Sequence, residues 1–89
     1  MEPQLRPELR VDKLLWFLRF AKSRTRAQAI VAAGHIRLNG RRVERGSACV
    51  RPGDVISLPI GEAVRVIRVV ALPARRGPPA EAGSCYEEI

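Results

Sequence analysis

The sequence predicts a small α+β domain: two N-terminal helices packed on a small antiparallel β-sheet, followed by a polar C-terminal tail. Three observations predict it. Apolar residues recur with helical period between Val11 and Val31, and the period shortens to two from Ile36 onward. The turn signals Asn39-Gly40, Pro52-Gly53-Asp54 and Gly61-Glu62 then divide the remainder into strand-length pieces. With 89 residues the chain has room for one core, burying about 60–65% of its unfolded surface. The expected division is a loose arm over residues 1–9, a folded domain over 10–72 and a Pro-rich tail over 73–89.

Taken in order, Pro3 and Pro7 make residues 1–9 read as a loose arm. A helix begins near Arg10, because Val11, Leu14, Leu15 and Leu18 fall at i, i+3, i+4 and i+7 on one face. Trp16 and Phe20, four residues apart, share a different face near Lys13. Ser23 is a good N-cap for a second helix with Ala27, Ile30 and Val31 as its apolar stripe, and Gly34 suits the left-handed position that closes it. Ile36 and Leu38 alternate with Arg37 and Asn39, and Asn39-Gly40 is a strong hairpin signal leading to a return strand at Arg41, Arg42 and Val43. Val55 to Ile60 and Ala63 to Leu72 read as two further strands. Arg65 and Arg68 are three apart, so a regular strand sends them to opposite faces; a bulge or an exposed edge would resolve this. After Pro73 the polar segment is expected to run over the surface, with Tyr86 docking back.

The net charge is +7, and it is unevenly placed. Residues 1–58 hold ten Arg and two Lys against five acids, whereas residues 59–89 hold four of each sign. Arginine, whose planar fork suits phosphates, outnumbers lysine fourteen to two. Lys22, Arg24 and Arg26 crowd the start of the second helix, an end that already carries partial positive charge and on structural grounds favours Asp or Glu. Cations gathered there fit a polyanionic ligand, with nucleic-acid phosphate the obvious candidate. Arg10, Lys13, Arg37, Arg41 and Arg42 extend the cluster, and a compact helix–hairpin arrangement could place all of it on one surface. Arg24 and Gln28 lie opposite the apolar stripe and are expected to face solvent.

Other chemistries lack their signatures. Asp12 lies in the first turn of the first helix, where an acid is favourable, and could pair with Arg24 or Arg26 to hold the two helix starts together. A catalytic role for it lacks a partner group. Trp16, Phe17 and Phe20 are read as core, Trp16 being the exception most able to stack on a base. His35 follows Gly34 without a partner, and Cys49 and Cys85 show neither metal nor redox spacing, so they are read as ordinary reduced thiols. No nucleophile elbow, phosphate-binding Walker loop or zinc motif occurs. We therefore expect no enzyme, no cofactor and no metal, no membrane segment, and a cytoplasmic location. Charge alone leaves DNA binding open, although nothing here reads base edges in a groove.

Four pieces in order, RVDKLL at Arg10, SRTRAQAI at Ser23, HIRLNG at His35 and RPGDVI at Arg51, resemble the S-four RNA-binding domain over about residues 10–60. The aromatic-rich DKLLWFLRFAKSR stretch and the tail RRGPPAEAGSCYEEI are most similar to the free-standing heat-shock protein 15 family. The resemblance implies the alpha-L helix–helix–hairpin surface as the RNA-binding face, carried here by Arg10, Lys13, Lys22, Ser23, Arg24, Arg26, Gln28, Asn39, Arg41 and Arg42. It also implies binding of structured ribosomal RNA on a free large subunit that still carries a nascent chain and its tRNA, in recycling or rescue. A monomer is expected. The alternatives are a partner of nascent-chain quality control, or a regulatory RNA-binding module that works with a separate RNA-modifying protein.

Overall fold

The computed structural model describes residues 7–89. In chain order the elements are β1 (Leu9–Arg10), α1 (Val11–Phe17), α2 (Arg24–Ala32), β2 (Ile36–Leu38), β3 (Arg41–Val43), β4 (Cys49–Val50), β5 (Val55–Ile60), β6 (Ala63–Val69), α3 (Pro79–Gly83) and β7 (Tyr86–Glu88). The expected α+β architecture is present: two helices lie against an antiparallel five-stranded sheet of order β3-β2-β5-β6-β7. Strands β1 and β4 form a separate two-stranded pair, Leu9 opposite Val50 and Arg10 opposite Cys49. Most of the expected N-terminal arm, residues 1–6, lies outside the described residues; its last residue, Leu9, belongs to β1.

The core follows from the two periods. Leu14, Leu15 and Leu18 from the first helical segment meet Ala27 and Val31 from α2 and the inward row Ile36, Ile56, Leu58, Ile67 and Val69 from the sheet. Pairing of Leu38 with Ile56 and of Ile56 with Ile67 keeps this row in register across three strands, because a one-residue slip would turn every member outward. Asn39 and Gly40 both have positive φ, 52° and 85°, the two-residue type I′ turn whose twist matches the strands it joins.

Three expectations need correction. The first helix stops at Phe17, so Trp16 and Phe20 do not share a helical face. Phe20 N–H donates to Leu15 O (3.0 Å) and Arg19 N–H to Trp16 O (3.1 Å), a Schellman closure in which Arg19 occupies the left-handed position at φ 68°. Arginine is an uncommon occupant there. Its side chain explains the choice: Nη1 donates to Gly77 O at 2.9 Å, while Arg76 Nε donates back to Trp16 O at 3.1 Å.

Arg65 and Arg68 do take opposite faces, yet neither a bulge nor an edge is involved. Strand β6 is regular and internal, flanked by β5 and β7. Consecutive residues of β7 supply one glutamate to each face, Glu88 to Arg65 and Glu87 to Arg68. Residues 73–89 are therefore not simply a surface tail. They form α3 and then the edge strand of the sheet, with Tyr86 opposite Val69 and its ring 5.1 Å from that of Phe20. Polar residues on an edge strand are compatible with pairing along one side only, and they blunt the open edge.

Among the described residues nothing covers the sheet face turned away from the helices. It carries Arg37, Arg42, Ser57 and Arg68, together with the exposed apolar residues Val64, Val70 and Ile89. Because Tyr86 fastens the last strand onto Phe20, Tyr86→Ala is expected to lower the stability of the whole domain by roughly 2 kcal/mol. Urea unfolding measures it; an unchanged midpoint would mean that residues 73–89 are not part of the cooperative unit.

Candidate nucleic-acid interface

The centre of the basic cluster is an acid. Asp12 opens α1 and its side chain is completely buried, a costly position for a carboxylate unless donors surround it. They do. Arg10 approaches as a fork, Nε to Oδ1 at 3.2 Å and Nη2 to Oδ2 at 3.0 Å; the Lys13 amide donates to Oδ1 at 2.6 Å, and Gln28 Nε2 to Oδ2 at 3.2 Å. Arg24 Nη2 stands 3.8 Å from Oδ1. Burial alone would push this carboxyl up. The hydrogen bonds from Arg10, Gln28 and the Lys13 amide, with the Arg10 charge, outweigh it and hold the group below its ordinary value.

This arrangement settles a question the sequence left open. Asp12 pairs with Arg24, joined by Arg10 and Gln28, and Arg26 takes no part in the described ion pairs. Arg24 and Gln28 are thus not simply solvent-facing. Gln28 is exposed yet tied by its amide to Asp12, and Arg24 is half-buried with its Nε enclosed and without a hydrogen-bond partner among the described residues. One α-helical turn separates positions 24 and 28, so both reach the same carboxylate.

At the start of α2, Ser23 is the N-cap, its Oγ accepting from the Arg26 amide at 3.1 Å. The first turn contains no acid, and Lys22 and Arg26 are exposed beside it, with no acidic partner among the described residues. Amides ahead of Arg26 belong to those a helix leaves without intrahelical acceptors. A phosphate placed there meets those amides, the helix dipole and two exposed cations together. Lys13 lies at the edge of the group, half-buried, with Nζ 5.4 Å from the Phe17 ring centroid.

The hairpin residues divide. Arg37 and Arg42 are cross-strand partners on the uncovered face of the sheet, both exposed. The stem of Arg42 runs past the end of α2, where a Cβ at Gly34 would lie 3.4 Å from its Cδ. Arg41 is exposed beside the turn. Asn39 is engaged internally: Nδ2 donates to Asp54 Oδ1 at 3.1 Å and Oδ1 accepts from the Val55 amide at 2.9 Å, which fastens the hairpin to the turn before β5. Arg10, Arg24, Gln28, Ser23, Lys22 and Arg26 therefore form one assembly around α2; Arg37 and Arg42 form a second basic patch on the far face of the sheet, and Arg41, paired with Leu38, lies on the opposite face from them.

Sequence reasoning missed Gly46. Its carbonyl accepts from the Asp12 amide at 3.2 Å, and a Cβ at this position would stand 2.7 Å from Asp12 Oδ2. Nothing in the local string RGSACV distinguishes it from an ordinary loop glycine. Cys49 is exposed at its surface, and partial desolvation of the thiol together with the nearby Glu8 carboxylate pushes it up, away from thiolate chemistry.

Because the folded Asp12 carboxyl titrates below its unfolded value, its contribution to stability is present above about pH 4 and is lost as pH falls through the lower folded value. Asp12→Asn has no such titration. The difference in melting temperature between the protein and this variant is expected to shrink steadily below about pH 4; a difference that stays constant to pH 2 would overturn the assignment.

A family model described as the S4 domain matches residues 9–56. Among curated relatives, the small ribosomal subunit protein uS4 of Rubrobacter xylanophilus is 44% identical over 75 residues, covering 75% of this chain and 36% of its own. That of Acidithiobacillus ferrooxidans is 48% identical over 65 residues, covering 72% of this chain and 30% of its own. The chain spans about a third of the length of these relatives. Among solved structures, the trimeric Vibrio cholerae Heat Shock Protein 15 superposes with a TM-score of 0.88 at 34% identity, over 93% of this chain and 83% of that one.

Proposed function

Since the chain belongs to the S4 domain family, we propose that it is a non-catalytic RNA-binding protein that recognises structured ribosomal RNA through the start of α2 and the adjoining hairpin. One observation carries this reading: Lys22 and Arg26 stand exposed, with no acidic partner among the described residues, at a helix whose own first turn contains no acid. Phosphate contacts from these cations and Arg24, with the hairpin arginines as a separate second patch, supply most of the affinity, and the shape of the surface around α2 supplies most of the selectivity. Asn39 and Ser23 contribute by fixing that surface, since their side chains are engaged within the protein.

The RNA we propose lies on the large ribosomal subunit, with peptidyl-tRNA still bound, and the task is recycling or rescue of such stalled subunits in the cytoplasm. Similarity to heat-shock protein 15 supports this choice over a small-subunit role: the likeness extends over 93% of the chain, whereas the S4 family match ends at residue 56. The competing reading, a regulatory module acting with a separate RNA-modifying or quality-control protein, predicts a stable stoichiometric protein partner. We further propose that the chain acts as a monomer. Its Vibrio relative is a trimer, and the exposed Val64, Val70 and Ile89 offer a place for copies to meet.

Replacing Lys22 and Arg26 together by Ala is expected to weaken binding to deproteinised large-subunit ribosomal RNA by at least tenfold at physiological salt. The slope of log K against log salt should fall by roughly 0.7–0.9 per lost phosphate contact. Unchanged affinity would remove the site from the start of α2. Light scattering on the purified protein should give a mass near 9.9 kDa; three times that value would replace the monomer with a trimer.

A further inference from the structure

The two arginines beside Asp12 are held in different ways. Arg10 gives both arms of its fork to the carboxylate, and with the Lys13 amide and Gln28 it fills the acceptor positions of a buried group. Arg24 lies within Coulombic reach at 3.8 Å but beyond a hydrogen bond. Its guanidinium is therefore held by charge, and among the described residues its donors meet no hydrogen-bond acceptor, the buried Nε included. The side chain keeps 39% of its surface exposed at the start of the helix that carries Lys22 and Arg26.

How deep the carboxylate sits is set by Gly46. A Cβ there would lie 2.7 Å from Oδ2, 3.0 Å from Cγ and 3.1 Å from the Cβ of Asp12, all inside normal contact. The loop has little freedom to retreat, because Gly46 O accepts the Asp12 amide and the neighbouring Ala48 O accepts the Val11 amide at 2.7 Å. The side-chain end of Asp12 would have to move instead, and with it Arg24.

We propose that Asp12 and Gly46 are positioning residues for RNA binding, with Arg10 bracing the carboxylate and Arg24 presented by it as the phosphate ligand. This rests on the RNA-binding reading above. It reverses a simple electrostatic expectation. Removing the negative charge of Asp12 should tighten binding to a polyanion if charge alone matters, whereas loss of positioning weakens it.

The experiment measures binding of the full chain to deproteinised large-subunit ribosomal RNA across a salt series for Asp12→Asn, Gly46→Ala, Arg24→Ala and the pair Asp12→Asn/Arg24→Ala. Each single variant is expected to lose about tenfold or more in affinity, the worth of one charge-assisted contact. Each should also flatten the salt slope by about 0.7–0.9, and the pair should lose no more than Arg24→Ala alone. Gly46→Ala changes no charge and removes none of the donors, so it carries the test if Asp12→Asn does not fold. Binding by Asp12→Asn as tight as or tighter than the unaltered chain, or losses that add in the pair, would overturn the inference. If the Lys22/Arg26 double replacement also leaves affinity unchanged, the RNA site itself is misplaced; if that replacement weakens binding while Asp12→Asn and Gly46→Ala do not, only the positioning role falls.

Discussion

A single buried carboxylate organises the helical half of this protein. Asp12 draws its donors from three places: Arg10 at the end of β1, the first turn of α1, and Gln28 on α2, while Gly46 ahead of β4 closes over it. An ionised group in this position is tolerable only when every donor arrives together, since loss of one leaves charge uncompensated in an interior that solvates it poorly. The angle between the helices, the approach of the loop before β4 and the placement of two arginines thus answer to one set of oxygens. Apolar packing of Leu14, Leu15, Ala27 and Val31 joins the helices to the sheet, and the carboxylate adds a polar tie between the two helix starts and the loop before β4.

How far this was legible from the sequence depends on the range of the chemistry. The α2 cap at Ser23, the type I′ turn at Asn39-Gly40 and strand β5 are encoded within a few residues, and each lies where the local pattern puts it. Asp12 was recognisable as a link between helix starts, though its choice of Arg24 over Arg26, and the recruitment of Arg10 and Gln28, depends on three-dimensional angles that spacing does not specify. The closure of α1 was hidden because Arg19 resembles an ordinary helical residue; its acceptor, Gly77, is 58 positions away. The final strand was hidden for a similar reason. Tyr86-Glu87-Glu88 reads as polar tail until Arg65 and Arg68 are seen on opposite faces of the neighbouring strand, each in need of an acid.

The candidate site shows the same division. Its cations were visible in composition and position, because charge at the wrong end of a helix is a local oddity. Which of them face a ligand and which are engaged in holding the domain was not visible. Among residues expected to touch RNA, Arg10, Asn39, Ser23 and Gln28 all form internal hydrogen bonds, while Lys22, Arg26 and the hairpin arginines remain exposed. A basic patch is thus read best as two populations, one that shapes the surface and one that meets the ligand.

The exchange at the end of α1 has a consequence for how the protein comes into being. Arg19 donates to Gly77 and Arg76 donates to Trp16, so the end of the first helix is completed by residues about 60 positions downstream. During translation, at about 5–20 residues per second, the first helix and its turn into α2 leave the ribosome several seconds before those partners do. Throughout that interval Arg19 has no acceptor to offset its left-handed backbone. The end of α1 therefore takes its final form only once residues 76 and 77 have been made.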